Sequence, residues 1–188
     1  MSEESALTYL LVDGENIDAT LGSSILERRP EPEERPRWDR VRGFAEDRWG
    51  QPVRALFFMA VHEGGELPMP FVQALRGMGY RPVPVTGRRD QKVVDIAIQR
   101  TLEALADRPL GDVMLVSHDG DFLPQLEGLL DGRRLGVLGF HEFRNTGYAR
   151  LSDDIELFDL EADVRAFNHP LPRLRVIPID EFDPLAFL

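Results

Sequence analysis

The chain has 188 residues, 43% of them hydrophobic, a formal net charge of −11 and no cysteine. That length suits one ordinary domain plus a tail, and the missing thiols exclude disulfides, thiolate catalysis and cysteine-ligated zinc. The acidic total excludes a grip on nucleic acid spread over the whole surface, although metal-binding carboxylates add charge that bound ions cancel, so a local basic path remains open.

No apolar stretch approaches the roughly 20 residues needed to cross a bilayer. The opening "MSEESALTYLLVDG" lacks the basic start and long apolar segment of a signal peptide, so a cytoplasmic protein with no membrane partner is expected. Lys92 is the only lysine among the 22 cationic residues.

In chain order, Leu7–Val12 reads as a buried strand followed by "DGENI". The charged, proline-rich "ERRPEPEERPR" (27–37) reads as an exposed loop. Trp38, Val41, Ala45 and Trp49 recur at helical spacing over Trp38–Trp49. Val53–Val61 is a strand of large apolar residues, Pro68–Met78 a helix and Pro82–Val85 a short strand. Gln91–Ala106 is the clearest helix, with Val94, Ile98, Leu102 and Leu105 on one stripe and Asp90 placed to cap it. The strand Val113–Val116 follows, then a helix from about Phe122 to Leu130 and the strand "RRLGVLGF". A helix around Arg144–Leu151 and the apolar run Ile155–Leu160 close the pattern.

Strands alternating with helices predict a three-layer α/β fold, a mostly parallel sheet with helices on both faces. The domain is expected to span 1–160. Residues 161–188 form a proline-rich tail that is either poorly ordered or packs its Val176, Ile177, Ile179, Phe182, Leu185, Phe187 and Leu188 on the domain or on a partner.

In a parallel α/β sheet, ligands bind beyond the carboxyl ends of the strands at the topological switch point. Asp13 follows the first strand, and Asp119 and Asp121 follow Val113–Val116. Asp95 lies in the first turns of its helix, whose start faces the same edge. Alone, each acid is an ordinary cap or helix-start residue. Together, four carboxylates on one rim, without cysteine or paired histidines, suit a hard cation, Mg²⁺ or Mn²⁺. Such ions activate water and stabilise an in-line phosphoryl displacement. Asn16 either orients Asp13 or closes the "DGEN" turn, Ser117 is placed to support the carboxylates, and Asp18 reads as a turn or cap residue. His118 points away from its acidic neighbours along the chain and takes a structural or substrate-facing role. Arg88, Arg89 and Lys92 stand before the acidic helix on the same rim, suited to substrate phosphates; Arg144 and Arg150 are weaker candidates.

The blocks "LLVDGENI" (10–17), "KVVDIAIQRTLEAL" (92–105), "DVMLVSHDGDFLPQLEGL" (112–129) and "RRLGVLGF" (133–140), with the weaker "GYARLSDDIELFDL" (147–160), resemble the NYN-domain family, the LabA-like branch of the PIN-like nucleases. The resemblance implies a PIN-like, Rossmann-like fold and a metal-dependent ribonuclease centre. Onto matching positions it carries Asp13, Asp95, Asp119 and Asp121 as catalytic metal ligands and Asn16 as an accessory residue. The chain departs from the family at Thr101, where many relatives place another aspartate, at Val93, where glycine is frequent, and in "SHDGDF" in place of "SGDSDF".

Two functions follow from this reading. The first is a Mg²⁺- or Mn²⁺-dependent ribonuclease acting on single-stranded RNA or RNA ends; the second is an RNA-binding regulatory module with weak or no turnover, with which Thr101, the acidic surface and the tail are consistent. A phosphate-ester hydrolase of the haloacid-dehalogenase or Toprim type ranks behind both. The former needs a D-x-D after the first strand, where this chain has "DGEN", and the latter prefers a glutamate at the position of Asp13. A homo-oligomer or protein partner held through the tail is a further expectation.

Overall fold

The computed structural model describes residues 6–88, 90–108 and 111–188. Six strands, β1 (Thr8–Asp13), β2 (Val53–Ala60), β3 (Tyr80–Val85), β4 (Asp112–Val116), β5 (Leu135–Gly139) and β6 (Glu156–Asp159), form one sheet in the order β3-β2-β1-β4-β5-β6. Every pairing is parallel. Parallel strands need crossovers; helices α1 (Gly14–Thr20), α2 (Trp38–Trp49), α3 (Met69–Gly77), α4 (Val93–Ala106) and α5 (Leu123–Glu127) supply those up to β5, and 3-10 turns carry the chain from β5 to β6. The chain winds outward from β1 to β3, returns to pair β4 on the other side of β1, and then winds the opposite way. The switch point therefore lies between β1 and β4.

Strand alternation splits the core in two. Leu10, Val12, Met114 and Val116 face α1, α2 and α3, packing with Val41, Ala45 and Leu75. Leu11, Val113 and Leu115 face α4 and α5, packing with Val94, Ile98, Leu102 and Leu126. All six residues of β1 are buried, as the central strand of a sheet covered on both faces requires. At the amino ends of the strands, Gln51 Nε2 donates to Thr8 Oγ1 at 2.6 Å and to Asp112 Oδ2 at 2.8 Å. Arg134 donates to Asp112 and Gln51, so that edge is closed by a satisfied polar network.

Several local expectations change. Helix α4 starts at Val93 and has no side-chain cap: Gln91 N–H donates to Arg88 C=O at 3.0 Å, so a turn before the helix takes up the residues around Asp90. A π-helical turn (Leu21–Leu26) continues α1 without a break. The 27–37 loop is not simply solvated. It carries a 3-10 turn at Pro32–Glu34, buries Pro30 and Pro36, and is tied down by Arg28–Glu34 and Arg35–Asp18 ion pairs of 2.6 and 2.7 Å. The helix expected over Phe122–Leu130 shrinks to a 3-10 turn (Gly120–Phe122) running into α5. The one expected around Arg144–Leu151 is a 3-10 helix from Thr146 to Leu151, opened by Asn145, whose side chain accepts Gly147 N–H.

Beyond β6 the chain stays in the core for several residues. Leu160, Val164 and Ala166 are buried on the α2 side, where Arg40 donates to the carbonyls of Arg165 and Phe167 at 3.0 Å. From Leu174 onward the apolar side chains are exposed, apart from a half-buried Ile177. No helix among the described residues is long and apolar enough to cross a membrane.

Candidate metal centre

Asp13 ends β1 and caps α1, accepting Asn16 N–H at 3.3 Å. It is 2% exposed, and Ser117 Oγ–H donates to its second oxygen at 3.0 Å. Burial disfavours the carboxylate more than these two hydrogen bonds favour it. Its pKa is pushed up to about 7, with Asp95 and Glu15 adding in the same direction. The backbone N–H of Asn16 donates to Asp13 and closes the turn, while its Oδ1 accepts His118 N–H at 2.8 Å and ties α1 to the end of β4.

After β4, Ser117 Oγ accepts Asp119 N–H at 3.2 Å, and Asp119 Oδ1 accepts Asp121 N–H at 2.9 Å. Asp119 is thus a cap as well as an acid on the rim. A Cβ on Gly120 would come within 2.5 Å of Asn145 Nδ2, so the tight loop between the two acids admits no larger residue without displacing Asn145. The first turn of α4 brings Asp95 to the same place. One carboxylate oxygen from each of Asp95, Asp119 and Asp121 lies within 4.8 Å of the others. Asp13 does not join that spacing, although it is near enough for its charge and that of Asp95 to interact. Burial and the neighbouring Asp119 raise the Asp95 pKa.

Two oxygens about 2.1 Å from one Mg²⁺ stand at most about 4.2 Å apart, so a small side-chain adjustment would place all three on a single ion. The donors are all carboxylate oxygens, the set a hard cation takes.

Lys92 reaches over this group, its Nζ 3.6 Å from Asp95 and 3.3 Å from Asp121, and these anions raise its pKa. Arg88 is exposed in the turn before α4; Arg89 lies outside the described residues. Arg150 is exposed, whereas Arg144 is half-buried and spends a guanidinium N–H on Phe158 C=O at 2.7 Å. Asp18 is neither turn nor cap but the partner of Arg35. His118 is structural: its Nε2 accepts Phe140 N–H at 2.7 Å, its Nδ1 meets Thr20 Oγ1 at 3.2 Å, and burial lowers its pKa to about 4. It is therefore a neutral ring protonated on Nδ1.

Two supporting residues escaped the sequence reading. Gln99, one turn after Asp95, donates to Asp121 C=O at 3.1 Å. Tyr148 donates its hydroxyl to Asp119 C=O from a fully buried ring. The i+4 spacing of Asp95 and Gln99 was a usable signal for the first; nothing local marked the second. Thr101 turns its hydroxyl to Ala97 C=O at 2.7 Å and offers no ligand to the rim. A second acidic group, His141, Glu142 and Asp159, lies past β5 and is held by Arg173 and by the backbone N–H of His141.

Comparison with solved structures finds a crystal structure of VPA0982, a protein of unknown function from Vibrio parahaemolyticus, at a TM-score of 0.64 and 22% identity, covering 87% of this chain and 98% of that one. That likeness is one of fold. Comparison with curated proteins finds no match. The family model described as the NYN domain matches residues 7–157, from the first residues before β1 into β6. With its all-parallel sheet and acids gathered at the switch point, the chain belongs to the NYN domain family, on a PIN-like α/β fold.

Proposed function

We propose that this protein is a Mg²⁺- or Mn²⁺-dependent ribonuclease that hydrolyses phosphodiester bonds of single-stranded RNA at the rim between β1 and β4. The observation that carries the reading is the approach of Asp95, Asp119 and Asp121 to within 4.8 Å of one another, beside Asp13 and at the switch point. Asp95, Asp119 and Asp121 hold the ion. Asp13, fixed by Ser117 and Asn16, completes the acidic wall from the neighbouring strand. A divalent ion bound there supplies Lewis acidity toward a phosphate oxygen and activates water. Lys92 and Arg88, joined by Arg89 from the adjoining position, draw the substrate phosphate to the carboxylates. His118 takes no part in proton transfer, since both ring nitrogens are engaged.

A second reading is an RNA-binding module with little turnover, favoured by Thr101 and Gln99: past Asp95, α4 offers this rim an amide donor and no further anion. Under either reading, the exposed apolar residues from Leu174 onward suit a protein partner or a second copy.

Cleavage of a labelled single-stranded RNA in Mn²⁺, Mg²⁺ or EDTA, comparing wild type with Asp119→Asn, separates the two. Cleavage that needs the metal and vanishes in the variant supports the ribonuclease. Metal and RNA binding without cleavage supports the module, and metal-independent cleavage sinks both.

A further inference from the structure

An open groove of about 620 Å³ lies on the far side of α1 from the acids. Helix α1 is the ridge between them: Asn16 and Thr20 turn toward His118 on the acidic side, while Gly14, Glu15 and Asp18 line the groove. The groove thus begins at the residue following Asp13. Its volume falls within the range of small-molecule sites, roughly 300–1,000 Å³.

Aromatic rings form its wall. Phe57 meets Trp38 edge-to-face at 5.0 Å and Phe71 at 5.4 Å, and Phe71 keeps 37% of its surface exposed. A Cβ on Gly14 would come within 2.4 Å of the Phe57 ring, so a larger residue at this point of the floor would have to displace that ring. The rim is electrically balanced. Asp18 is paired with Arg35 at 2.7 Å, and Glu15 accepts Ala60 N–H at 2.8 Å. Arg29 has no carboxylate within 4.0 Å among the described residues.

We infer that this groove is a nucleobase subsite, receiving a base of the strand whose phosphate lies at the acidic rim; the inference deepens the proposed function and rests on its RNA substrate. A neutral aromatic wall suits a planar, uncharged heterocycle and not a phosphate, because a base can stack on an exposed ring whatever its sequence. Arg29 supplies the cation for the phosphate that flanks the base. Continuity with Asp13 through Gly14 and Glu15 joins the groove to the same strand that meets the carboxylates. The 27–37 loop is the device that builds it: Pro32, Arg35 and Pro36 form one bank, held by the Arg35–Asp18 and Arg28–Glu34 pairs.

The test is fluorescence anisotropy in EDTA, with the full chain, of a labelled oligouridine and of an abasic oligomer carrying the same phosphates. Wild type is expected to prefer the base-bearing oligomer. Phe71→Ala should lower affinity for that oligomer about tenfold and leave affinity for the abasic one unchanged. Phe71→Tyr should bind as wild type does, whereas Phe71→Leu, equally apolar, should bind as Phe71→Ala does. Equal wild-type affinity for the two oligomers, including no measurable affinity for either, overturns the subsite. So does an equal loss for both oligomers in Phe71→Ala, or a wild-type dimer that Phe71→Ala converts to monomer, which would assign the groove to a second copy. Because the readout needs no metal and no cleavage, base-selective binding without hydrolysis would retain the subsite and reject only the ribonuclease. Cleavage without base selectivity would do the reverse.

Discussion

Ser117 Oγ–H donates to Asp13 Oδ2 at 3.0 Å, joining the ends of β4 and β1 across 104 positions of sequence. The same hydroxyl oxygen accepts Asp119 N–H at 3.2 Å, so one serine sets both the buried acid and the first acid of the following loop. Without it the second oxygen of Asp13 and the N–H of Asp119 would lose these partners.

The buried pair Asp13 and His118 should give the metal-free protein opposing pH dependences. As pH rises from 3.8 toward about 7, the unfolded chain releases the Asp13 proton while the folded chain retains it, so stability falls with pH. His118 acts in the other direction: as pH falls from 6.5 toward about 4, the unfolded chain takes up a proton that the folded chain refuses, so stability falls with acid. The Asp13 effect is on the order of 4 kcal/mol and the His118 effect on the order of 3, and between about pH 4 and 6.5 they largely offset. Asp13→Asn keeps an oxygen for Asn16 N–H and removes only the first effect. Urea unfolding in EDTA should show the variant gaining stability steeply from pH 4 to 6.5 and exceeding wild type at pH 8. Matching profiles for the two proteins would mean that Asp13 titrates normally.

Asp119→Asn retains the acceptor that caps Asp121 N–H but removes one of three crowded charges. The apo variant should melt about 1–2 °C higher than wild type, from roughly 0.5 kcal/mol of relieved repulsion. Mn²⁺ at a hundred times its Kd should stabilise wild type by about 2.7 kcal/mol and the variant hardly at all. Calorimetric melting with and without Mn²⁺ reads both; a lower apo melting temperature in the variant would show that capping outweighs repulsion.

Lys92 Nζ, 3.6 Å from Asp95 and 3.3 Å from Asp121, competes for the oxygens that would hold a cation. Lys92→Met should therefore bind Mn²⁺ more tightly than wild type at low ionic strength. The difference should shrink by 0.5 M salt, because exposed charges are screened over a few ångströms there. Titration calorimetry at two salt concentrations decides it, and unchanged affinity at low salt would show that the ammonium is a bystander.

Gly14→Ala places a methyl within 2.4 Å of the Phe57 ring, which is 4% exposed and packed between Trp38 and Phe71. Overpacking of this kind costs about 1–3 kcal/mol, a fall of roughly 2–10 °C in melting temperature. Thermal unfolding of the variant measures it directly; a wild-type melting temperature would mean that Phe57 can move aside.

Much of the architecture was legible in the sequence because it depends on local periodicity. The stripe Val94, Ile98, Leu102, Leu105 is buried as its spacing requires, and the apolar runs at 8–12, 53–60 and 113–116 are strands. Four acids, Asp13, Asp95, Asp119 and Asp121, were expected on one rim because acids that follow parallel strands or open crossover helices share an edge; oxygens of the last three stand within 4.8 Å of one another, and Asp13 stands outside that spacing.

Side-chain partnership could be settled only by the tertiary structure. Whether the acid after β1 is buried with a serine, whether Lys92 reaches the carboxylates and whether Tyr148 supports Asp119 depend on atoms brought together from distant positions. The 27–37 loop makes the same point: its composition reads as solvated, yet Pro30 and Pro36 are buried and Arg35 finds Asp18 on a helix that precedes it. Composition and spacing determine which segments bury and which edge collects the acids, because both follow from the repeat of a strand or a helix. The depth of each acid, its hydrogen bonds and the groove beside it were decided by packing between elements, which no local repeat encodes.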